Sequence, residues 1–162
     1  MEKKRAIKVL ITDDDANLRD LLEEAVKDWG FEVRVAKDGE DALERLKAER
    51  CDIVITDLKM PGMGGIKLLE KIKEYDKDIL VIVITGYATI ETAVKAIDAG
   101  AYDYITKPFR LDELMVIMKN AGNLLLLAEK NRELNDKLDR AYSEIDSLKD
   151  SMPGGGVIKD RE

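Results

Sequence analysis

The sequence predicts an α/β fold: a doubly wound, five-stranded parallel sheet followed by an extended C-terminal helix. Three observations carry this expectation. Short runs rich in Val and Ile alternate with longer stretches whose apolar residues recur at helical spacing. The run 79–84 contains no polar residue, as a strand buried on both faces requires. Between Pro108 and Pro153 there is no proline, so a single long helix can run through that region.

Taken in order, the apolar runs at 7–11, 31–35, 53–55, 79–84 and 102–105 read as strands, because branched and aromatic side chains fit a pleated surface. Between the first two, Leu18, Leu21, Leu22, Ala25 and Val26 mark a helix that Trp29-Gly30 closes. Ala42, Leu43 and Leu46 mark the second helix, and Ile66, Leu69, Ile72 and Lys73 the third. Ile90, Ala93, Val94 and Ile97 mark the fourth, ending at Gly100. Strict alternation of strand and helix implies a parallel sheet covered on both faces, with right-handed crossovers. The strand order expected is the flavodoxin-like one, 2-1-3-4-5.

From residue 111 to about 152 the only glycine is Gly122, and an apolar heptad appears. With Leu124 at an a position, the a/d series reads Leu124, Leu127, Asn131, Leu134, Leu138, Ala141, Ile145, Leu148 and Met152. Its steps alternate three and four without a break, which predicts a coiled coil. Asn131 at an a position favours a parallel two-stranded register. Glu144 and Lys149 are placed to pair between chains; Lys130 and Lys137 have no acidic partner in the corresponding positions. The alternative is a helix packing back on its own domain, since Leu125 and Leu126 point off the seam. The expected organisation is a globular domain over 1–121, a dimerisation helix over 122–152, and a flexible Gly-rich tail over 153–162. Neither a Walker-type glycine loop nor a helix-turn-helix pattern occurs, so no output module is expected within the chain.

Composition narrows the function. The 162 residues carry a formal charge of −7, which disfavours direct binding to nucleic acid or anionic lipid. Charged residues make up 38 %, in keeping with a long solvated helix. The single cysteine, Cys51, cannot form an intramolecular disulfide and reads as a small buried hydrophobe in a reducing, cytoplasmic setting. The basic start runs into an apolar stretch too short for a signal peptide, and nothing approaches the length of a membrane span. Histidine is absent, so imidazole-dependent hydrolysis, His-ligated zinc and phosphohistidine carriage on this chain are excluded.

The chemistry falls at strand ends. Asp13, Asp14 and Asp15 follow the first strand, Asp57 the third, Thr85 the fourth and Lys107 the fifth. In an open α/β sheet this carboxyl edge is where ligands bind. Converging carboxylates repel and call for a cation. An oxygen-only donor set points to Mg²⁺ rather than zinc. A carboxylate beside Mg²⁺ can attack a phosphoryl group, with a lysine and a hydroxyl to receive the phosphoryl oxygens. Each element alone is weak: Asp15 also reads as a helix N-cap, Thr85 as a turn residue and Lys107-Pro108 as a turn. The ordered set is far more specific.

Those residues resemble the receiver domain of bacterial two-component response regulators. The resemblance covers residues 7–121 and rests on Val9-Leu10-Ile11-Thr12-Asp13-Asp14-Asp15, Asp57-Leu58-Lys59-Met60-Pro61-Gly62, Thr85-Gly86-Tyr87-Ala88-Thr89 and Tyr104-Ile105-Thr106-Lys107-Pro108-Phe109. The segment 85–109 is most similar to the enhancer-binding subfamily. The resemblance implies that Asp57 is the phosphoacceptor. It implies that Asp14, Asp57 and the Lys59 carbonyl ligate Mg²⁺, with Asp13 acting through metal-bound water. Lys107 would pair with Asp57 and then with the phosphoryl oxygens. Thr85 and Tyr104 would form the switch, and Lys59 and Tyr87 would tune the lifetime of the phosphoryl group. The Lys107-Pro108 bond is expected to be cis. Where many relatives carry Asp, this chain has Gly64, and the Gly64-Gly65 pair is expected to loosen the loop beside Asp57.

The implied partners are a sensor histidine kinase and a second copy of the chain. The implied output is transcriptional, and the only catalysis expected is self-phosphorylation from a donor and slow self-dephosphorylation. A phosphate-independent adaptor is the alternative. An aspartyl phosphatase fits less well, since Lys59 stands where a second acid is usual, and a flavin module would place Asp57 beside a cofactor phosphate.

Overall fold

Strand-forming residues and helix-forming residues separate cleanly along the chain, and the computed structural model, which describes residues 4–152, places each expected element. The order is β1 (Lys8–Thr12), α1 (Ala16–Asp28), β2 (Glu32–Ala36), α2 (Gly39–Ala48), β3 (Ile53–Thr56), α3 (Gly65–Tyr75), β4 (Leu80–Thr85), α4 (Ile90–Asp98), β5 (Asp103–Thr106) and α5 (Leu111–Ser151). The strands form one parallel sheet in the order β2-β1-β3-β4-β5. The tail expected to be flexible lies outside the described residues.

Alternation along the strands divides the core. Leu10, Val54 and Val81 belong to a cluster with Leu46, Leu68 and Ile72 of α2 and α3. Their neighbours Val9, Ile11, Ile53, Ile55 and Ile82 are equally buried and point to the opposite face. Cys51 is a free, buried thiol, and burial pushes its pKa up, so it is packing rather than chemistry.

The helices start and stop for local reasons. Asp15 caps α1, accepting from the Asn17 and Leu18 backbone N–H groups. A capping box between Thr89 and Thr92 opens α4, and Gly100 at φ +99° closes it. The Lys107-Pro108 bond is cis, as expected.

Helical spacing left open which side chains are covered. In α3, Leu68 is buried and Ile66 only half so. In α4, the helix forms but its apolar stripe is not covered: Ile90, Val94 and Ile97 are 85, 50 and 63 % exposed, and Ala96 is the buried side chain. Helical spacing reports which residues share a face, and only the tertiary fold decides whether that face is covered.

The chain divides into two units after Gly122. In the first, α5 buries Leu114, Met118 and Ala121 at helical spacing, and Gly122 lies against Ile7 and Phe31. In the second, the helix continues to Ser151 with Leu124, Leu127, Leu134, Leu138, Ile145 and Leu148 between 45 and 61 % exposed.

Candidate functional site

The carboxyl ends of β1, β3 and β5 bring Asp13, Asp57 and Lys107 together, and the end of β4 sets Thr85 beside the Lys107 backbone. Asp57 directly follows β3 and Asp13 directly follows β1, and both side chains are buried. Lys107 reaches back from the residue after β5. Its Nζ donates to Asp57 Oδ2 at 2.7 Å and to Asp13 Oδ2 at 3.1 Å. The lysine backbone is fixed as well, because its N–H donates to the Thr85 carbonyl at 2.8 Å.

The three consecutive aspartates have separate fates. Asp13 is buried, its second oxygen accepting from the Asp15 N–H at 2.9 Å. Asp15 caps α1. Asp14 is exposed. Burial pushes the Asp13 carboxyl above its ordinary value, a push that the Asp15 N–H and Lys107 only partly offset. For Lys107 the balance is opposite. Burial disfavours its charge, but the two carboxylates outweigh that and raise the amine above its ordinary value. The ammonium form is therefore the resting form, a fixed cation beside Asp57.

Thr85 is fully buried, and its hydroxyl accepts from the Tyr87 N–H at 3.1 Å. Tyr104 is half-buried, with its hydroxyl 2.9 Å from that of Thr92. Lys59 donates its backbone N–H to Asp57 Oδ1 at 3.2 Å, and its ammonium stands 4.2 Å from the centre of the Tyr87 ring. Lys59 and Tyr87, with Leu58, Ile66, Thr92 and Lys95, line a cavity of about 370 Å³ beside the site.

Sequence reading missed two residues here and gave a third another role. Arg19, one turn into α1, donates to the Asp13 carbonyl at 2.6 Å and pins the acidic loop. Its place four residues after a cap was the available signal. Thr92 was legible only as the end of a Thr-x-x-Thr capping pattern. Gly65 corrects the expectation of a loosened loop: a Cβ there would stand 2.0 Å from the Asp57 carbonyl oxygen, and the Gly65 N–H donates to Leu58 at 2.8 Å. The glycine thus lets α3 press its first turn against the backbone that follows β3.

With the fold and the crevice in hand, comparison with known proteins is direct. The response regulator receiver domain family matches residues 9–119, and the chain belongs to that family. Among its relatives are NtrC-type regulators. The regulatory protein AtoC of Escherichia coli is 37 % identical over 94 % of this chain and 33 % of its own length. The nitrogen assimilation regulatory protein NtrX of Azorhizobium caulinodans is 38 % identical over 78 % of this chain and 28 % of its own. The chain thus spans about a third of these relatives. Among solved structures, the receiver domain of NtrX from Brucella abortus superposes with a TM-score of 0.66 at 37 % identity, covering 70 % of this chain and 96 % of that one. Chemotaxis protein CheY4 of Vibrio cholerae superposes at 0.69 with 27 % identity, over 72 % of this chain and 99 % of that one.

Proposed function

We propose that the chain is a phosphorylation-dependent switch in which Asp57 accepts a phosphoryl group from a phosphohistidine on a sensor kinase. The observation that carries this reading is the lysine clamp: one ammonium between the Asp57 and Asp13 carboxylates at 2.7 and 3.1 Å. Asp57 Oδ1, held only by the Lys59 N–H at 3.2 Å, attacks phosphorus as the P–N bond breaks, and the bonding pair stays on the donor's imidazole nitrogen. Lys107 holds the charge on the phosphoryl oxygens, and the Thr85 hydroxyl turns to donate to one of them.

The donor set suits Mg²⁺. No group of three or more His, Cys, Asp or Glu that could hold a metal gathers among the described residues. A site of few carboxylates suits an ion that keeps most of its waters. Asp14, Asp57 and the Lys59 carbonyl would hold it, with Asp13 acting through water. The ion would supply charge neutralisation at the phosphoryl oxygens.

Around this centre, Thr85 and Tyr104 are the switch pair. Lys59 and Tyr87 are the lifetime pair, with the ring at the mouth of the site restricting attacking water. Residues 1–121 are the receiver, and 122–152 a parallel coiled-coil dimer built on Leu124, Leu127, Asn131, Leu134, Leu138, Ile145 and Leu148. The exposure of those leucines in a single chain supports that reading. Leu134→Glu should convert dimer to monomer in sedimentation at micromolar concentration; a variant that stays dimeric would remove the seam. No helix among the described residues is long and apolar enough to cross a membrane, which suits a cytoplasmic switch with transcriptional output.

The test of the switch is mass. Incubated with Mg²⁺ and acetyl phosphate, the protein should gain one phosphoryl group, and Asp57→Asn should gain none. Labelling that persists in Asp57→Asn would overturn the assignment.

A further inference from the structure

Resting on the switch reading above, we infer that Thr92 is a positioning residue, a latch that holds the Tyr104 ring in place and ties the phosphorylation site to the first turn of α4. The hydroxyl of Thr92 has one proton to give and two lone pairs to offer. It accepts from the Thr89 N–H at 2.9 Å, closing the capping box, and its own proton has the Tyr87 and Thr89 carbonyls at 3.3 and 3.1 Å. The remaining lone pair faces the Tyr104 hydroxyl at 2.9 Å. The Thr89 hydroxyl, at 3.1 Å, is the other hydroxyl within reach of Thr92, and that of Tyr104 is the nearer of the two.

The other switch residue holds the opposite end of the same segment. Thr85 Oγ1 accepts from the Tyr87 N–H at 3.1 Å. Residues 87–92 are thus bracketed by two side chains, each of which must change partners when a phosphoryl group arrives. What lies between them has little else to hold it. Among the α4 side chains Ala96 is the buried one, and Ile90 at the helix start is 85 % exposed. An element with few buried contacts and a polar cap opens at low cost. Capture of Thr85 by the phosphoryl group draws on the Tyr87 end, and movement of Tyr104 away from Thr92 releases the Thr92 end. The first turn of α4 then re-forms its cap without the ring. Thr92 sets how strongly the resting state resists that change, because the ring position is favoured by the bond it makes there.

The test compares Thr92→Val, which keeps shape and removes the hydroxyl, with Thr89→Ala, which breaks the capping box and leaves the Tyr104 contact. The full chain is used, with Tyr104 ring signals by NMR, amide exchange over residues 90–93, and affinity for beryllium trifluoride with Mg²⁺. Without any phosphoryl mimic, Thr92→Val should shift the Tyr104 ring signals, and Thr89→Ala should leave them in place while both variants speed amide exchange. One lost hydrogen bond corresponds to roughly two- to tenfold tighter beryllium trifluoride binding in Thr92→Val. Adding Thr92→Val to Tyr104→Phe should change the affinity no further. Unmoved ring signals in Thr92→Val, or an effect equal to that of Thr89→Ala, would overturn the latch. A wild type that failed to bind beryllium trifluoride would instead overturn the switch reading, and the ring signals would still decide the latch.

Discussion

The two ends of the sheet hold buried carboxylates in opposite electrostatic conditions. At the amino end, Asp52 precedes β3 and its side chain is 3 % exposed. It accepts two bonds from Arg5, one from Arg50 and one from the Lys8 N–H. Burial alone would raise its pKa, but those donors and charges outweigh it, and the carboxyl is held below its ordinary value. At the carboxyl end, Asp13 and Asp57 are 5 and 7 % exposed and share one ammonium. There burial wins for Asp13, whose carboxyl is raised. The same fold sets two arginines on the single acid at one end and one lysine between two acids at the other. An acid saturated with donors is inert; an acid short of them has attraction left for an ion or a phosphoryl group.

The sharpest break of this comparison is Asp57→Asn. Phosphoryl incorporation from acetyl phosphate should vanish, and the urea midpoint should not fall, since the site is not built for stability.

Next comes Asp52→Asn, which should cost about 2 kcal/mol in urea unfolding and leave phosphorylation intact. Its pH dependence follows from the sign of the shift. The folded carboxyl lies below 3.8, so its stabilisation is complete above that value and is lost as pH falls through the lower folded value. The gap between wild type and Asp52→Asn should therefore be full at pH 7 and close in strong acid.

Asp13→Asn should act with the opposite sign. A carboxyl raised above 3.8 favours folding only while protonated, and that contribution is lost as pH rises through the folded value. At neutral pH the charge is a burden, so the variant should gain about 0.5–2 kcal/mol. It should also show a smaller rise in melting temperature on adding Mg²⁺. A destabilised variant would show that Lys107 needs both acids.

The smallest expected effect is at the rim. Tyr87→Ala should shorten the phosphoryl lifetime several-fold, read as first-order decay of phospho-Asp57. Slower decay in the variant would mean that the Lys59–Tyr87 contact does not shield the site.

Much of this was legible in advance because it depends on local rules. Strand and helix periods and the glycine and aspartate caps each follow from a few neighbouring residues, which is why the elements fell where expected. Whether the α4 stripe is covered was not legible for the same reason: spacing placed Ile90, Val94 and Ile97 on one face, and burial of that face needs a neighbour the sequence does not name. The Gly64-Gly65 pair was misread as slack because its role lies in backbone contact with Leu58 and Asp57.

By itself the sequence determined the order of elements, the parallel sheet and the set of polar residues at its carboxyl edge, since period, composition and capping act over a turn or a strand. Only the tertiary structure decided which of three adjacent aspartates meets Lys107, which caps α1 and which faces solvent. It alone decided that Tyr104 bonds Thr92. Those pairings join residues brought together by the sheet, and a hydrogen bond is set by ångström-scale position that no spacing along the chain encodes.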